Sequence, residues 1–165
     1  AGLRIGSNLG IRLDNLRFAR DRLDRLDSVE LVACSPVYET DPIDVRPEYR
    51  DLAYLNAVLI VDADPPPEEL IPHLHAVEAE AGRLRGEDPN EPRTLDIDLI
   101  YADDLVLRSE GLQLPHPRWA ERRFVVQPLA DVRPELVLPG ASCSVADTLL
   151  TLPPEPKVFL FLQEW

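Results

Sequence analysis

Asp96 and Asp98 are the residues of this chain whose types and spacing point most directly to chemistry. They lie in the segment 92–100, which reads Pro-Arg-Thr-Leu-Asp-Ile-Asp-Leu-Ile. Successive side chains of a β-strand point to opposite faces, so this spacing puts both carboxylates on one face. Like charges side by side repel each other, and a divalent cation would offset that repulsion. The pattern favours a metal site, with a solvated strand face and a nearby ion pair as the alternative.

Basic residues cluster on both sides of this segment. Mg²⁺ is held by one or two carboxylates together with phosphate oxygens and water, and a planar guanidinium is suited to phosphate. The arginines concerned are Arg83, Arg85 and Arg93 upstream and Arg118, Arg122 and Arg123 downstream. His116 lies between two prolines, and this rigid loop favours a ligand-binding role for its side chain.

Hydrophobic periodicity predicts the elements that position these residues. Strands are predicted at residues 3–6, 29–38, 53–61, 94–101 and 157–162, with a turn at 102–104 that leads back into an apolar run at 105–107. Helices are predicted at 13–26, at 121–132 and at 144–151. A further helix is predicted to start within the proline-rich segment 65–69 and to end at about Gly82. Asn8 or Gly10 could cap the first helix and Asp64 the second.

The order of elements up to residue 101 is strand, helix, strand, strand, helix, strand. This order predicts an α+β fold with a ferredoxin-like βαββαβ core, in which two helices cover one face of an antiparallel sheet and the other face stays open. Residues 137–165 are predicted to form a structural C-terminal extension. The length of 165 residues is typical of a single domain, spanning 1–165. The polar segment 41–52 and the charged segment 83–92 are predicted to be loops near the site.

Composition excludes several classes of function. The net charge of −13 argues against a nucleic-acid binder. No run of 18 or more apolar residues predicts a membrane span, and the first residues do not resemble a signal peptide, so we expect a cytoplasmic protein. Cys34 and Cys143 lack metal-binding spacing and are expected to be free thiols.

Asn56 is a polar residue inside the apolar strand predicted at 53–61. A buried amide needs hydrogen-bond partners. The sequence leaves two possibilities open, a network within the core or contact with a ligand.

Taken together, these motifs resemble one family, the 6-hydroxymethyl-7,8-dihydropterin pyrophosphokinases of folate biosynthesis. The matching stretches occur in the family's order and spacing, at residues 6–10, 35–40, 54–57, 78–85, 92–98, 114–117 and 122–124. The family has a ferredoxin-like core. It transfers the β,γ-pyrophosphoryl group of ATP to the hydroxymethyl group of the pterin and releases AMP.

The resemblance implies a role for each matching residue. Asp96 and Asp98 would bind two Mg²⁺ ions at the triphosphate, with Arg83 and Arg93 as the catalytic arginines. The implied ATP contacts are Glu78, Arg85, His116, Arg122 and, more weakly, His75. The implied pterin contacts are Tyr54 and Phe124, which would stack on the ring, and Asn56 and Thr40, which would read its polar edge with backbone groups of residues 40–43.

Two positions depart from the family pattern. Asn90 and Glu91 stand where many members have Trp-Gly, and His75 stands where Gln is frequent. The first change puts the packing of the catalytic loop over ATP in question. The partners implied are ATP and hydroxymethyldihydropterin, with the protein as a monomer.

Two other functions are compatible with the residues. A metal-dependent phosphohydrolase would use the same carboxylates with water as the nucleophile. A ferredoxin-like ligand sensor would bind without turnover, since this fold serves many functions.

Overall fold

The computed structural model describes residues 1–42, 46–83 and 91–165. Its strands are β1 (Gly2–Ser7), β2 (Val29–Cys34), β3 (Val37–Thr40), β4 (Tyr54–Ala63), β5 (Asp96–Tyr101), β6 (Leu107–Ser109), β7 (Leu112–Leu114) and β8 (Val158–Leu162). Its α-helices are α1 (Arg12–Leu23), α2 (Pro67–Glu80), α3 (Arg123–Val132) and α4 (Val145–Thr151). Short 3₁₀ turns lie at Pro47–Tyr49 and Trp119–Glu121.

The main sheet is antiparallel and has the order β5-β1-β4-β3-β8, with β2 also paired to β4. β1 lies between β4 and β5 and is buried along its whole length. The predicted ferredoxin-like fold is confirmed. Strands β4 and β5, which lie on either side of β1, carry Asn56 and the pair Asp96 and Asp98.

Helices α1 and α2 cover the first face of the sheet. Their apolar stripes include Leu16, Leu23 and Leu74, which are fully buried against strand residues such as Leu3 and Leu59. Full burial of one such side chain contributes about 2 kcal/mol. This layer makes the strands rigid supports for side chains on the opposite face.

The prediction of an open second face is wrong, because α3 and α4 cover part of it. Val58 and Ile100 point to this face and pack against Val126 and Leu129 of α3 and Val145 at the start of α4. These apolar strand positions need a partner layer, and the segment after residue 122 supplies it. The rest of this face carries the polar residues described below.

The predicted strand 29–38 is two strands, because Ser35 and Pro36 interrupt it. Proline has no N–H to donate to the sheet. The Ser35 backbone N–H donates to the Val58 carbonyl, and the Ser35 hydroxyl accepts from the Val58 N–H at 2.8 Å. The serine therefore maintains contact with β4 where β2 ends and β3 begins.

The apolar run predicted at 105–107 is a strand only from Leu107, where β6 begins. β6 pairs with β7, and the two form a separate hairpin that turns at Gly111. Gly111 has a φ of 85°, a conformation that glycine adopts without strain.

The predicted caps are not formed either. Ile11 precedes α1 and Pro66 precedes α2, each without a side-chain cap, while Asn8 bonds elsewhere. In the described ranges, the helices are too short or too polar to cross a membrane. Cys34 and Cys143 are free thiols, as predicted.

Candidate active site

The registers of β1, β4 and β5 bring four polar side chains onto the second face of the sheet. Arg4 of β1 lies opposite Asp98 of β5, and Gly6 lies opposite both Asp96 and Asn56. Residues two apart in a strand share a face, so Arg4, Asn56, Asp96 and Asp98 point the same way. Gly6 leaves space between them, because a Cβ there would collide with the Arg4 guanidinium.

Arg4 is a buried cation at the centre of this group. Its Nη1 donates to Asp96 Oδ2 at 2.5 Å and to Asp98 Oδ2 at 3.0 Å. Its Nε and Nη2 donate to Asn56 Oδ1 at 3.2 and 2.8 Å. Burial opposes the charge, but the Asp96 and Asp98 carboxylates outweigh it and raise the pKa of Arg4. The arginine is therefore a fixed positive charge.

Asp96 is surrounded by guanidinium groups. Its Oδ1 accepts from Arg83 Nη1 at 2.7 Å and from Arg93 Nη1 at 3.1 Å, while its Oδ2 accepts from Arg4. Burial alone would raise the pKa of Asp96, but Arg4, Arg93 and Arg83 together lower it well below its usual range. Asp96 is therefore an anion at neutral pH.

Arg83 is oriented by Glu78, which lies in α2 and is buried. The Glu78 carboxylate contacts Arg83 Nη1 and accepts the backbone N–H of Ile97 at 2.8 Å. It thereby joins α2, the segment after it and β5. Since the Glu78 side chain is only 2% exposed, this geometry favours orientation of Arg83 over direct contact with a nucleotide.

Arg93 is held by the turn that follows β1. The Arg93 backbone N–H donates to Asn8 Oδ1 at 2.8 Å, and the Asn8 N–H donates to the Arg93 carbonyl at 3.2 Å. Asn15 supports the same turn by donating to Ser7 Oγ and to the Leu9 carbonyl. The Gly-Ser-Asn-Leu-Gly motif thus fixes the backbone of the arginine that precedes β5.

The aromatic and amide residues lie next to this charged group. Asn56 Nδ2 donates to Thr40 Oγ1 at 3.0 Å, so both ends of the amide are engaged. The Phe124 ring faces the Arg4 guanidinium at 5.4 Å and the Arg122 guanidinium at 5.7 Å. Tyr54 begins β4 and is half-buried, and burial raises the pKa of its hydroxyl. These residues border one side of the carboxylate pair.

His116 and His75 border the other side. Both line a groove of about 410 Å³ that also includes Asp98. The backbone N–H of His116 donates to the Ile100 carbonyl at 2.8 Å. The ring Nδ1 of His116 accepts the backbone N–H of Arg118 at 3.1 Å. Burial lowers the pKa of His116, although Asp98 acts in the opposite direction. A neutral imidazole therefore faces this groove.

The predicted site residues that the structure describes thus lie around one group of charged side chains. Arg85 lies outside the described residues, as do Asn90 and the backbone of Ile43. Arg122 is partly buried at the start of α3, and burial lowers its pKa.

Arg4 and Asn8 were not predicted as site residues. The available signal for Arg4 was a charged residue in the centre of a short apolar strand, Gly-Leu-Arg-Ile-Gly. Such a residue needs a buried partner of opposite charge. Asn8 lies in the glycine-rich turn, where the sequence predicted only a helix-capping role for it.

A family model described as 7,8-dihydro-6-hydroxymethylpterin-pyrophosphokinase (HPPK) matches residues 2–134. A 2-amino-4-hydroxy-6-hydroxymethyldihydropteridine pyrophosphokinase of Pseudomonas aeruginosa is 37% identical over 135 residues, which cover 82% of this chain and 81% of that protein. The protein of the same name in Mycobacterium bovis is 38% identical, over 93% of this chain and 83% of its own length. The chain therefore belongs to the HPPK family.

A solved structure supports the fold. The HPPK-DHPS protein of Plasmodium falciparum, described with pterin and p-hydroxybenzoate, superposes with a TM-score of 0.70 at 13% identity. The match covers 91% of this chain and 41% of the solved chain. The chain thus spans about two-fifths of that larger protein, and the likeness at this identity concerns the fold.

Proposed function

We propose that this chain transfers pyrophosphate from ATP to 6-hydroxymethyl-7,8-dihydropterin, giving AMP and the pterin diphosphate, a step of folate biosynthesis. The observation that supports this proposal most directly is that Asn56, Asp96 and Asp98 lie on one face of the sheet. Arg83 and Arg93 lie on one side of them and Phe124 lies on the other. Charged groups for a triphosphate and flat or polar groups for a pterin are thereby adjacent.

Asp96 and Asp98 are the carboxylates that the family resemblance assigns to Mg²⁺. Their donor chemistry fits, since Mg²⁺ takes one or two carboxylates and completes its shell with phosphate oxygens and water. Asp96 is ionised and Asp98 is 30% exposed towards the groove. In the described ranges, no group of three or more acidic, histidine or cysteine side chains could hold a metal, so this pair would depend on phosphate oxygens and water to complete the shell. Bound Mg²⁺ would neutralise triphosphate charge; the family resemblance implies two ions.

Arg83 and Arg93 bind the phosphates in this proposal. A guanidinium has five N–H donors, so each arginine can hold phosphate oxygens while it stays near Asp96. Glu78 fixes the direction of Arg83, and Asn8 fixes the backbone of Arg93. His116, Arg122 and His75 border the nucleotide side, and Arg85 is assigned to the same side from the resemblance.

The pterin lies between Tyr54 and Phe124, whose faces suit a flat heterocycle. Asn56 and Thr40 form hydrogen bonds with its polar edge. The pterin hydroxymethyl oxygen then attacks the β-phosphorus in line with the bond to the α-phosphate oxygen, and AMP leaves. One proton is released to solvent over the whole reaction, and the low pKa of Asp96 makes this carboxylate a weak general base for the hydroxyl group.

The proposal is tested by incubation with ATP, Mg²⁺ and hydroxymethyldihydropterin, with AMP as the measured product. AMP is expected only when the pterin is present. Release of inorganic phosphate from ATP without pterin would instead indicate the phosphohydrolase. Pterin and ATP binding without any turnover would indicate the ligand sensor.

We also propose a cytoplasmic monomer. The net charge of −13 argues against nucleic-acid binding, and the clustered basic groups then bind small anionic substrates.

A further inference from the structure

Arg4 occupies the position between the two carboxylates that a bridging cation would take. A single nitrogen, Nη1, donates to one oxygen of Asp96 and one oxygen of Asp98. The positive charge of Arg4 thus offsets the repulsion between the two neighbouring carboxylates, the role for which the sequence pattern predicted a metal ion.

The guanidinium is held in this position from several directions. The side chain is only 6% exposed. Nε and Nη2 are bound to Asn56, and the Phe124 face lies over the group. Displacing Arg4 would remove one of the buried partners of Asp96 and both donors to the buried Asn56 amide oxygen, which is strongly unfavourable. We therefore expect Arg4 to stay in place when a nucleotide binds.

Few carboxylate oxygens are then left for metal ions. Asp96 uses one oxygen for Arg4 and the other for Arg83 and Arg93. Asp98 gives one oxygen to Arg4, and within residues 1–42, 46–83 and 91–165 its Oδ1 has no hydrogen-bond donor. This oxygen lies on the partly exposed Asp98 beside the groove with His116. One carboxylate oxygen with phosphates and water suits a single Mg²⁺.

We propose that Arg4 replaces one of the two divalent cations, so that the nucleotide complex of this protein holds one divalent cation, bound through Asp98. The inference rests on the proposed function for the identity of the nucleotide. Arg4 also fixes Asn56 by occupying its carbonyl oxygen, so the same side chain connects the phosphate side of the site with the pterin side.

The test is the number of Mn²⁺ ions bound per protein chain, counted by electron paramagnetic resonance and equilibrium dialysis. Mn²⁺ replaces Mg²⁺ as the probe, and α,β-methylene-ATP is used because the bond to be broken is then stable. The wild-type protein is expected to bind one Mn²⁺. A count of two, or of zero, would overturn the proposal without the need for any variant.

Variants of Arg4 test whether this residue determines the number of bound Mn²⁺ ions. Arg4→Met removes the charge at similar length and is expected to bind two Mn²⁺, because the carboxylate oxygens become available. Arg4→Lys keeps a positive charge and is expected to bind one. Arg22→Met is the matched control, since it removes an arginine paired with Glu80 on the helical surface, and it is expected to bind one. A count of one for folded Arg4→Met would show that Arg4 does not exclude the second ion.

The number of bound Mn²⁺ ions and the formation of AMP test the role of Arg4 and the proposed function separately. AMP formation with two bound Mn²⁺ would refute the role of Arg4 and leave the proposed function intact. One bound Mn²⁺ in wild type and two in Arg4→Met, without AMP formation under any condition, would support the role of Arg4 and refute the proposed function.

Discussion

At the residue scale, the two aspartates differ in how strongly the fold depends on them. Asp96 is 11% exposed and accepts from three guanidinium groups, whereas Asp98 is 30% exposed and accepts from Arg4. Both are expected to be essential for turnover. Their contributions to stability should differ, because removing Asp96 takes one partner from each of three largely buried arginines, whereas removing Asp98 takes one partner from Arg4 alone.

Asp96→Asn is therefore expected to lower the free energy of unfolding by about 3–5 kcal/mol, the typical loss when a buried ion pair is broken. Asp98→Asn is expected to cost about 1 kcal/mol, as for a partly exposed pair. Urea unfolding measures both values. Equal losses for the two variants would contradict the assigned difference in pairing.

The depressed pKa of Asp96 also predicts a pH dependence. A carboxylate whose pKa is lower in the folded state stabilises the protein fully above its unfolded-state pKa of about 3.9. This stabilisation is lost as the pH falls from about 4 towards the lowered pKa. The stability difference between wild type and Asp96→Asn should thus shrink on acidification from pH 7 to pH 3. A constant or growing difference would show that the arginines do not lower this pKa.

Phe124 provides a third prediction at this scale. Stacking of a ring on an aromatic side chain contributes about 1–3 kcal/mol, so Phe124→Ala should weaken pterin binding by about tenfold or more. ATP binding should change much less. Phe159→Ala on β8, which is 55% exposed, is the control and should leave the pterin Kd unchanged in equilibrium titrations. Equal weakening for ATP and pterin would place Phe124 elsewhere in the site.

At the element scale, the turn after β1 determines the position of Arg93. Asn8→Ala removes the hydrogen bond to the Arg93 N–H, worth about 0.5–1.5 kcal/mol. If that bond serves mainly to position Arg93 in the transition state, kcat should fall about 3- to 10-fold with little change in pterin Kd.

Asn15→Ala is the matched control for Asn8→Ala, because it loosens the same turn without touching Arg93. Its kcat should stay near the wild-type value. An equal loss in both variants would mean that the turn as a whole, rather than its contact with Arg93, limits the rate.

The elements themselves show what a single sequence can predict. The alternation around Asp96 and Asp98 and the helical stripes of α1 and α2 are local patterns, and they correctly predicted the strands, the helices and the ferredoxin-like order. The local patterns failed where pairing was decided at long range. The Ser35 hydroxyl accepts the N–H of Val58, 23 residues away, at the point where the predicted strand 29–38 divides into β2 and β3.

Arg4 shows the same limit within the site. It is 92 residues from Asp96 in sequence, and only the register between β1 and β5 brings the two together. The aspartate pair, the arginines and His116 could be chosen as candidate site residues, because their spacing and clustering are visible along the sequence. The pairing of Asp96 with Arg4 could not, because periodicity contains no information about which strands become neighbours.

At the scale of the whole molecule, one face of the sheet packs against helices and the other face carries the candidate site. Helices α1 and α2 cover one face completely enough to hold β1, β4 and β5 in register. On the other face, α3 and α4 pack over Val58 and Ile100 and bring Phe124 and Arg122 to the edge of the charged cluster. The phosphate and pterin sides of the site therefore share one rigid support.

The most direct measurement follows the phosphorus atoms of ATP by ³¹P nuclear magnetic resonance in the presence of Mg²⁺ and hydroxymethyldihydropterin. AMP and a pterin diphosphate should appear in equal amounts with the wild-type protein and should be absent with Asp98→Ala. ADP or inorganic phosphate as the main product, or unchanged AMP formation by Asp98→Ala, would contradict pyrophosphoryl transfer at this site.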